Sequence, residues 1–260
     1  MKPAAKRVVL ELLSAADAHE LSAAALVGAG RLLGLSENNV RVAVARLAAD
    51  GTLEATARGE YRLVASALGQ HITSWRELEK QVRRWDGGWV MVHVGERGDR
   101  TANRHGERAL RLLGFRPFGR GLELRPDNLD GGVRWLRDRL RALGLDQAAL
   151  VARASELDAH TDARARTLWD RERLAISYAQ TTERIERWLA TIDALPPARA
   201  ARDAFFFGGD VLRKIIYDPR LPEPLVDVTA RRAMLDAARR MDDRGRRLWA
   251  QLPKEMRDAA

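Results

Sequence analysis

Ser36-Glu37-Asn38-Asn39-Val40-Arg41-Val42-Ala43-Val44-Ala45-Arg46-Leu47 carries the strongest pattern in this 260-residue chain. Ser36 stands where a helix N-cap belongs, its hydroxyl placed to accept from an orphan backbone N–H. Val40, Val44 and Leu47 recur at helical spacing, so one face packs inward. Asn38, Asn39, Arg41, Val42, Ala45 and Arg46 are left on the outer face. Such a face suits the major groove of DNA: Arg can read guanine, Asn can read adenine, and Val or Ala can touch a thymine methyl.

The flanking residues extend the pattern. Gly34-Leu35 reads as a tight turn after a second helix over Ser22–Leu33. A first helix over Ala5–Ala15 places Val8, Val9, Leu12 and Leu13 on one face. Asp50-Gly51 ends the central helix, and strands at Thr52–Ala57 and Glu60–Val64 turn about Arg58-Gly59. Residues 1–68 thus read as a winged helix-turn-helix DNA-binding domain. Its candidate contacts are Ser36, Asn38, Asn39, Arg41, Val42, Ala45 and Arg46 on the helix and Arg58 at the wing tip. Gly28 to Gly34 is not a dinucleotide loop, because no strand precedes it and its spacing is wrong. Gly28 and Gly30 instead allow close packing of the second helix.

Residues 69–155 change character. A connecting helix, Ser66–Trp85, leads to the turn Asp86-Gly87-Gly88 and a short strand, Trp89–Val94. A helix over Asp99–Leu113, strands at Phe115–Phe118 and Gly121–Arg125, a helix over Leu129–Leu143 and a strand at Gln147–Arg153 follow. That succession is the split βαβ order of a ferredoxin-like domain. Residues 156–260 read as helical: Asp162–Leu195 up to Pro196-Pro197, Ala198–Tyr217 with a break or bend near Gly208-Gly209, and Ala230–Leu252. Three prolines forbid a helix through Asp218–Pro224. The fold class is therefore α+β, with a winged helix-turn-helix, a ferredoxin-like middle domain and a C-terminal helical domain.

Composition narrows the function classes. The chain has no cysteine, which excludes disulfides and thiolate chemistry and agrees with a cytoplasmic location. No apolar run approaches the ~18 residues that span a bilayer, so no membrane partner is expected. Glu11 interrupts the apolar part of Met1–Ala16, which reads as an amphipathic helix and not a signal peptide. The net charge of +9 fits a nucleic-acid partner, but its distribution does not single out the first domain. Residues 1–68 hold 8 basic and 7 acidic side chains, residues 69–155 hold 17 and 11, and residues 156–260 hold 20 and 18.

Three separated segments resemble the PaaX-type transcriptional repressors, the family of phenylacetic acid degradation repressors. Gly34-Leu35-Ser36-Glu37-Asn38-Asn39-Val40-Arg41, continuing through Arg46-Leu47 to Asp50-Gly51, is similar to the family's recognition helix. Trp85-Asp86-Gly87-Gly88-Trp89, followed by Arg111-Leu112-Leu113-Gly114-Phe115, resembles the opening and the R-x-L-G-F segment of its middle domain. Asp218-Pro219-Arg220-Leu221-Pro222 resembles the D-P-x-L-P segment of its helical domain. The resemblance implies a homodimeric one-component repressor with a ferredoxin-like (Cas2-like) middle domain, bound to a double-stranded DNA operator. It also implies release by a small effector, an aryl- or acyl-CoA thioester such as phenylacetyl-CoA or an aromatic acid. Relatives often carry Ser or Thr where Val42 and Ala45 stand, so the operator sequence should differ.

Two other classes stay open at this stage. A Cas2-like domain raises a metal-dependent nuclease, for which Glu96 follows the first strand of the middle domain. A winged helix can also serve protein contacts alone. Against an enzyme, the histidines His19, His71, His93, His105 and His160 occur singly, and no G-x-S-x-G elbow is present. No cofactor and no metal site is expected. Arg104, Arg108 and Arg111 share one helical face and Arg134, Arg137 and Arg141 another, either as solvated faces or as partners for the phosphates of an acyl-CoA.

Overall fold

The computed structural model describes residues 4–64, 82–95 and 100–252. The chain is α+β, with two antiparallel sheets and helices throughout its C-terminal part. Two compact units emerge, one of Met1–Thr73, Arg187–Val211 and Arg239–Ala260, the other of Ser74–Glu186 and Leu212–Ala238.

In the first unit, helices α1 (Ala5–Ala15), α2 (Ala23–Leu32) and α3 (Glu37–Ala49) pack on one another. Their shared core holds Val8, Val9, Leu12 and Leu13 of α1, Leu26 of α2, and Val40, Val44 and Leu47 of α3. The expected face of the first helix is buried, and Gly30 has the role foreseen for it. A Cβ there would lie 2.5 Å from Val40 Cγ2, so α2 meets α3 closely only because that atom is missing. Strands β1 (Glu20–Ser22), β2 (Leu53–Ala57) and β3 (Glu60–Leu63) form a sheet in the order β1-β3-β2. β1 escaped the sequence reading. Three residues are too few for alternation to register, and only pairing with β3 makes them a strand.

In the second unit, β4 (Trp89–His93), β5 (Arg116–Gly119), β6 (Leu122–Pro126) and β7 (Leu150–Ala154) form a sheet in the order β5-β6-β4-β7. Every neighbouring pair is antiparallel. Helix α4 (Arg100–Leu112) links β4 to β5, and α5 (Gly132–Ala142) links β6 to β7. Val90, Val92 and Val151 pack with Leu110 and Leu113 near the end of α4 and with Leu136 and Leu140 of α5. Trp89 points away from Val90 by the period of the strand and stacks on Trp169 with the rings 9° from parallel.

The remaining helices are α6 (Ala159–Arg166), α7 (Arg171–Thr191), α8 (Pro197–Ile216) and α9 (Val228–Ala250). Three expectations need correction. Asp162–Leu195 is not one helix: α6 stops at Arg166, Trp169 is buried against Trp89, and Asp170 caps the next helix by accepting from Arg173 N at 2.9 Å. Helix α8 runs unbroken through Gly208-Gly209, beside which Met241 and the Arg7 and Glu11 termini lie at distances that a Cβ would tolerate. Most of the expected connecting helix, residues 65–81, lies outside the described residues. Its end is not helical, because Val82 bridges to Leu129 and Arg83 N donates to Asn128 O at 2.8 Å.

Candidate nucleic-acid interface

Helix α3 is set by its two ends. At the first, Gly34 adopts φ +87°. Gly34 N donates to Arg31 O and Leu35 N to Gly30 O, each at 2.9 Å, which closes α2 in a Schellman turn. Ser36 then accepts from Asn39 N at 3.3 Å as the foreseen N-cap. At the other end, Gly51 N donates to Ala48 O and Thr52 N to Leu47 O, and the chain turns directly into β2. Short, hydrogen-bonded turns of this kind hold α3 at a fixed attitude to the helix before it and the hairpin after it.

Between those ends Val40, Ala43, Val44 and Leu47 are buried. Asn38, Asn39, Arg41, Val42, Ala45 and Arg46 are all exposed, as is Ser36. Val42 is 39% exposed, one of few large apolar side chains so placed among the described residues. It shares that face with two asparagines and two arginines. The site residues of the helix are therefore gathered on one surface.

The charge on that surface is only partly free. Glu37 sits between Arg31 at 2.6 Å and Arg41 at 2.7 Å. Hydrogen bonds from Arg41 and Arg31 hold its carboxyl below the usual glutamate range. That pairing escaped the sequence reading, although Glu37 and Arg41 stand at the i,i+4 spacing that brings such groups together. Arg46 makes no ion pair among the described residues. Arg41, Ala45 and Val44 also border a shallow depression of about 100 Å³ shared with Tyr61 of β3.

The hairpin β2–β3 projects from the unit: of β2 only Leu53 is buried. Arg62 is neutralised by Glu54 at 2.8 Å. Arg58, at the tip beside Gly59, is exposed and without an ion pair among the described residues. It is the cation the hairpin offers to a partner.

The other motifs hold the second unit together. Trp85 Nε1 donates to Gly88 O at 2.5 Å, Gly88 N to Asp86 Oδ1 at 2.9 Å, and Trp89 Nε1 to Asp162 Oδ1 at 2.9 Å. Asp218 accepts from Tyr178 OH at 2.8 Å, from Arg231 Nε and from Arg220 N. Asn128 Nδ2 donates to Arg220 O at 2.8 Å, and a Cβ on Gly114 would strike Pro219. Arg125, fully buried, donates to Leu113 O, Pro126 O and Asn128 Oδ1. Nothing in composition or spacing marked Arg125, since one arginine among many carries no signal of burial.

Of the arginines weighed for an acyl-CoA, Arg104, Arg108, Arg111 and Arg134 are exposed, whereas Arg137 donates to Val151 O at 2.8 Å and is bound into the unit. Among the described residues no three His, Asp or Glu side chains gather as metal ligands do. Glu96 lies outside the described residues.

Residues 169–251, about a third of the chain, match the PaaX-like protein C-terminal domain, the family that its motifs resemble. The Asp218–Leu225 segment lies inside that span; the α3 and Trp85–Trp89 motifs lie before it. The chain is also similar to a solved structure, the uncharacterized protein Rv0674 from Mycobacterium tuberculosis. The two are 26% identical with a TM-score of 0.55, over 94% of this chain and 98% of that one. No curated protein matches. No helix among the described residues is long and apolar enough to cross a membrane.

Proposed function

We propose that the protein is a cytoplasmic one-component repressor that binds a double-stranded DNA operator as a homodimer and is released by a small effector. Residues 4–64 act as a winged helix-turn-helix, with α3 in the major groove and β2–β3 as the wing. The order β5-β6-β4-β7, antiparallel throughout with a helix in each crossover, supports a ferredoxin-like reading of the middle segment. The working division is a reading head at 1–68, a middle domain at 69–155 and a helical domain at 156–260. An aryl- or acyl-CoA thioester or an aromatic acid is the effector class that the PaaX-like character supports.

One observation carries the DNA reading. The exposed face of α3 holds Asn38, Asn39, Arg41, Val42, Ala45 and Arg46 together while the opposite face is wholly apolar and buried. Arg41 and the two asparagines supply hydrogen bonds to base edges, Val42 and Ala45 supply apolar contact, and Arg46 and Arg58 reach phosphates. Two such heads related by a two-fold axis require inverted half-sites. The effector acts by favouring a dimer whose heads no longer match that spacing, which it can do only through its difference in affinity for the two states.

The test is Arg41→Ala in the full chain, with binding measured at fixed salt on the protected operator and on a scrambled duplex. The substitution should cost about 1–3 kcal/mol on the operator and far less on the scrambled sequence. An unchanged operator Kd removes Arg41 from the reading face.

A further inference from the structure

We infer that Arg202, some 160 residues beyond the recognition helix in sequence, is a DNA phosphate contact belonging to the same surface. The inference rests on the DNA reading of α3. It adds to that reading a cation from another part of the chain.

Within the first unit, the segment of α8 around Ala201 to Phe206 is built onto the reading head. Ala200, Ala201 and Ala204 are buried, and Phe205 and Phe206 pack against the core that α1, α2 and α3 share. Arg202 lies on this segment but points outward and is exposed. Its Nη2 comes within 3.6 Å of the place a Cβ on Gly34 would occupy. The guanidinium therefore hangs beside the turn that leads into Ser36, at the end of α3 that a recognition helix turns toward DNA.

No carboxylate among the described residues pairs with it. Arg202 makes no hydrogen bond or ion pair among the described residues, and its recorded partner is the Phe206 ring, 5.9 Å from the guanidinium carbon. The neighbouring Asp203 is taken by Trp188 Nε1 at 2.8 Å. By contrast, Arg31 and Arg41 near the same end of α3 both share Glu37, so that trio carries one net positive charge. Arg202 adds a second, with no ion-pair partner among the described residues. The first turn of α3, like any helix N-terminus, also favours an anion at this end. A phosphate flanking the bases read by α3 fits these donors.

A phosphate contact has a signature distinct from base reading. Its removal weakens binding to all sequences alike, and it lowers the magnitude of the slope of log affinity against log salt by about 0.9 per contact. The full chain and its Arg202→Ala and Arg202→Lys variants are titrated on the protected operator and a scrambled duplex over a fourfold range of salt. Arg202→Ala should reduce the slope by about 0.9 per bound reading head, so its deficit shrinks roughly 3-fold per head across that range. Arg202→Lys should keep the parent slope, and the operator-to-scrambled ratio should stay the same in all three. Operator binding by the parent with an unchanged slope in Arg202→Ala overturns this inference alone. A changed operator-to-scrambled ratio overturns it too, by making Arg202 a base reader. If the parent binds no DNA, the reading of α3 falls and this inference falls with it.

Discussion

Gly30→Ala should separate α2 from α3 and, in doing so, loosen the recognition helix. The new Cβ would lie 2.5 Å from Val40 Cγ2, roughly 1 Å short of ordinary carbon–carbon contact. Val40 cannot easily turn aside, because a valine in a helix has one strongly preferred rotamer and this one is completely buried. Overpacking of this kind costs about 1–3 kcal/mol, while alanine in place of glycine mid-helix returns about 1 kcal/mol. The net loss should be about 0–2 kcal/mol. Val40→Ala alone removes the clashing carbon at a cost of about 2 kcal/mol for the lost burial. In that background the new Cβ meets only ordinary van der Waals contacts, with the Cβ atoms of residue 40 and Leu35, and Gly30→Ala should stabilise by about 1 kcal/mol. The two changes are therefore coupled by roughly 1–3 kcal/mol, read from urea denaturation of the four proteins of the cycle followed by circular dichroism. Additivity within about 0.5 kcal/mol would refute the close approach of the helices.

Three further outcomes follow from the same geometry. Gly114 has φ +79°, and a Cβ there would lie 2.8 Å from Pro219 O, so Gly114→Ala should destabilise the protein by about 2–5 kcal/mol; a thermal or urea midpoint equal to the parent's contradicts the docking of the 218–225 segment. Arg220 is buried with Nε and Nη1 unpartnered, and burial lowers its pKa to about 10, with Asp218 opposing the shift and Arg231 and Arg139 adding to it. Arg220→Met, which removes those orphan donors, should leave stability within about 1 kcal/mol of the parent or raise it, and a loss beyond about 2 kcal/mol would show that the guanidinium finds partners. Glu37, held below the ordinary glutamate range by Arg41 and Arg31, contributes stability above its unfolded pKa and loses it as pH falls through the folded value. The stability difference between the parent and Glu37→Gln should therefore be present at neutral pH and vanish in acid; a difference that persists in acid contradicts the ion-pair account.

What could be read from the sequence was what local rules determine. Ser36, Gly34 and Gly51 mark the ends of α3 because capping and left-handed turns need those residue types, and its buried face follows from a 3.6-residue period. The strands of the second unit appeared at their places within one to three residues for the same reason. The misses came where tertiary packing overrides local pattern. Trp169 breaks Asp162–Leu195 because it is drawn onto Trp89, some 80 residues earlier. Gly208-Gly209 does not break α8, because glycine lowers helix propensity without forbidding the helix and buried Ala204 and Val211 anchor it on either side. The outer face of α3 was legible in full. Glu37's hold on Arg41 and the arrival of Arg202 beside Gly34 were not: an exposed ion pair and a contact across more than 160 residues leave no periodic trace.

Footprinting of the full chain on DNA upstream of its own gene tests the central claim most directly. The account predicts protection of two inverted half-sites about one helical turn apart or a multiple of it. That protection should be lost with Arg41→Ala at the same protein and salt concentration. Protection that ignores sequence, or none at concentrations where a scrambled duplex is bound equally well, would contradict it.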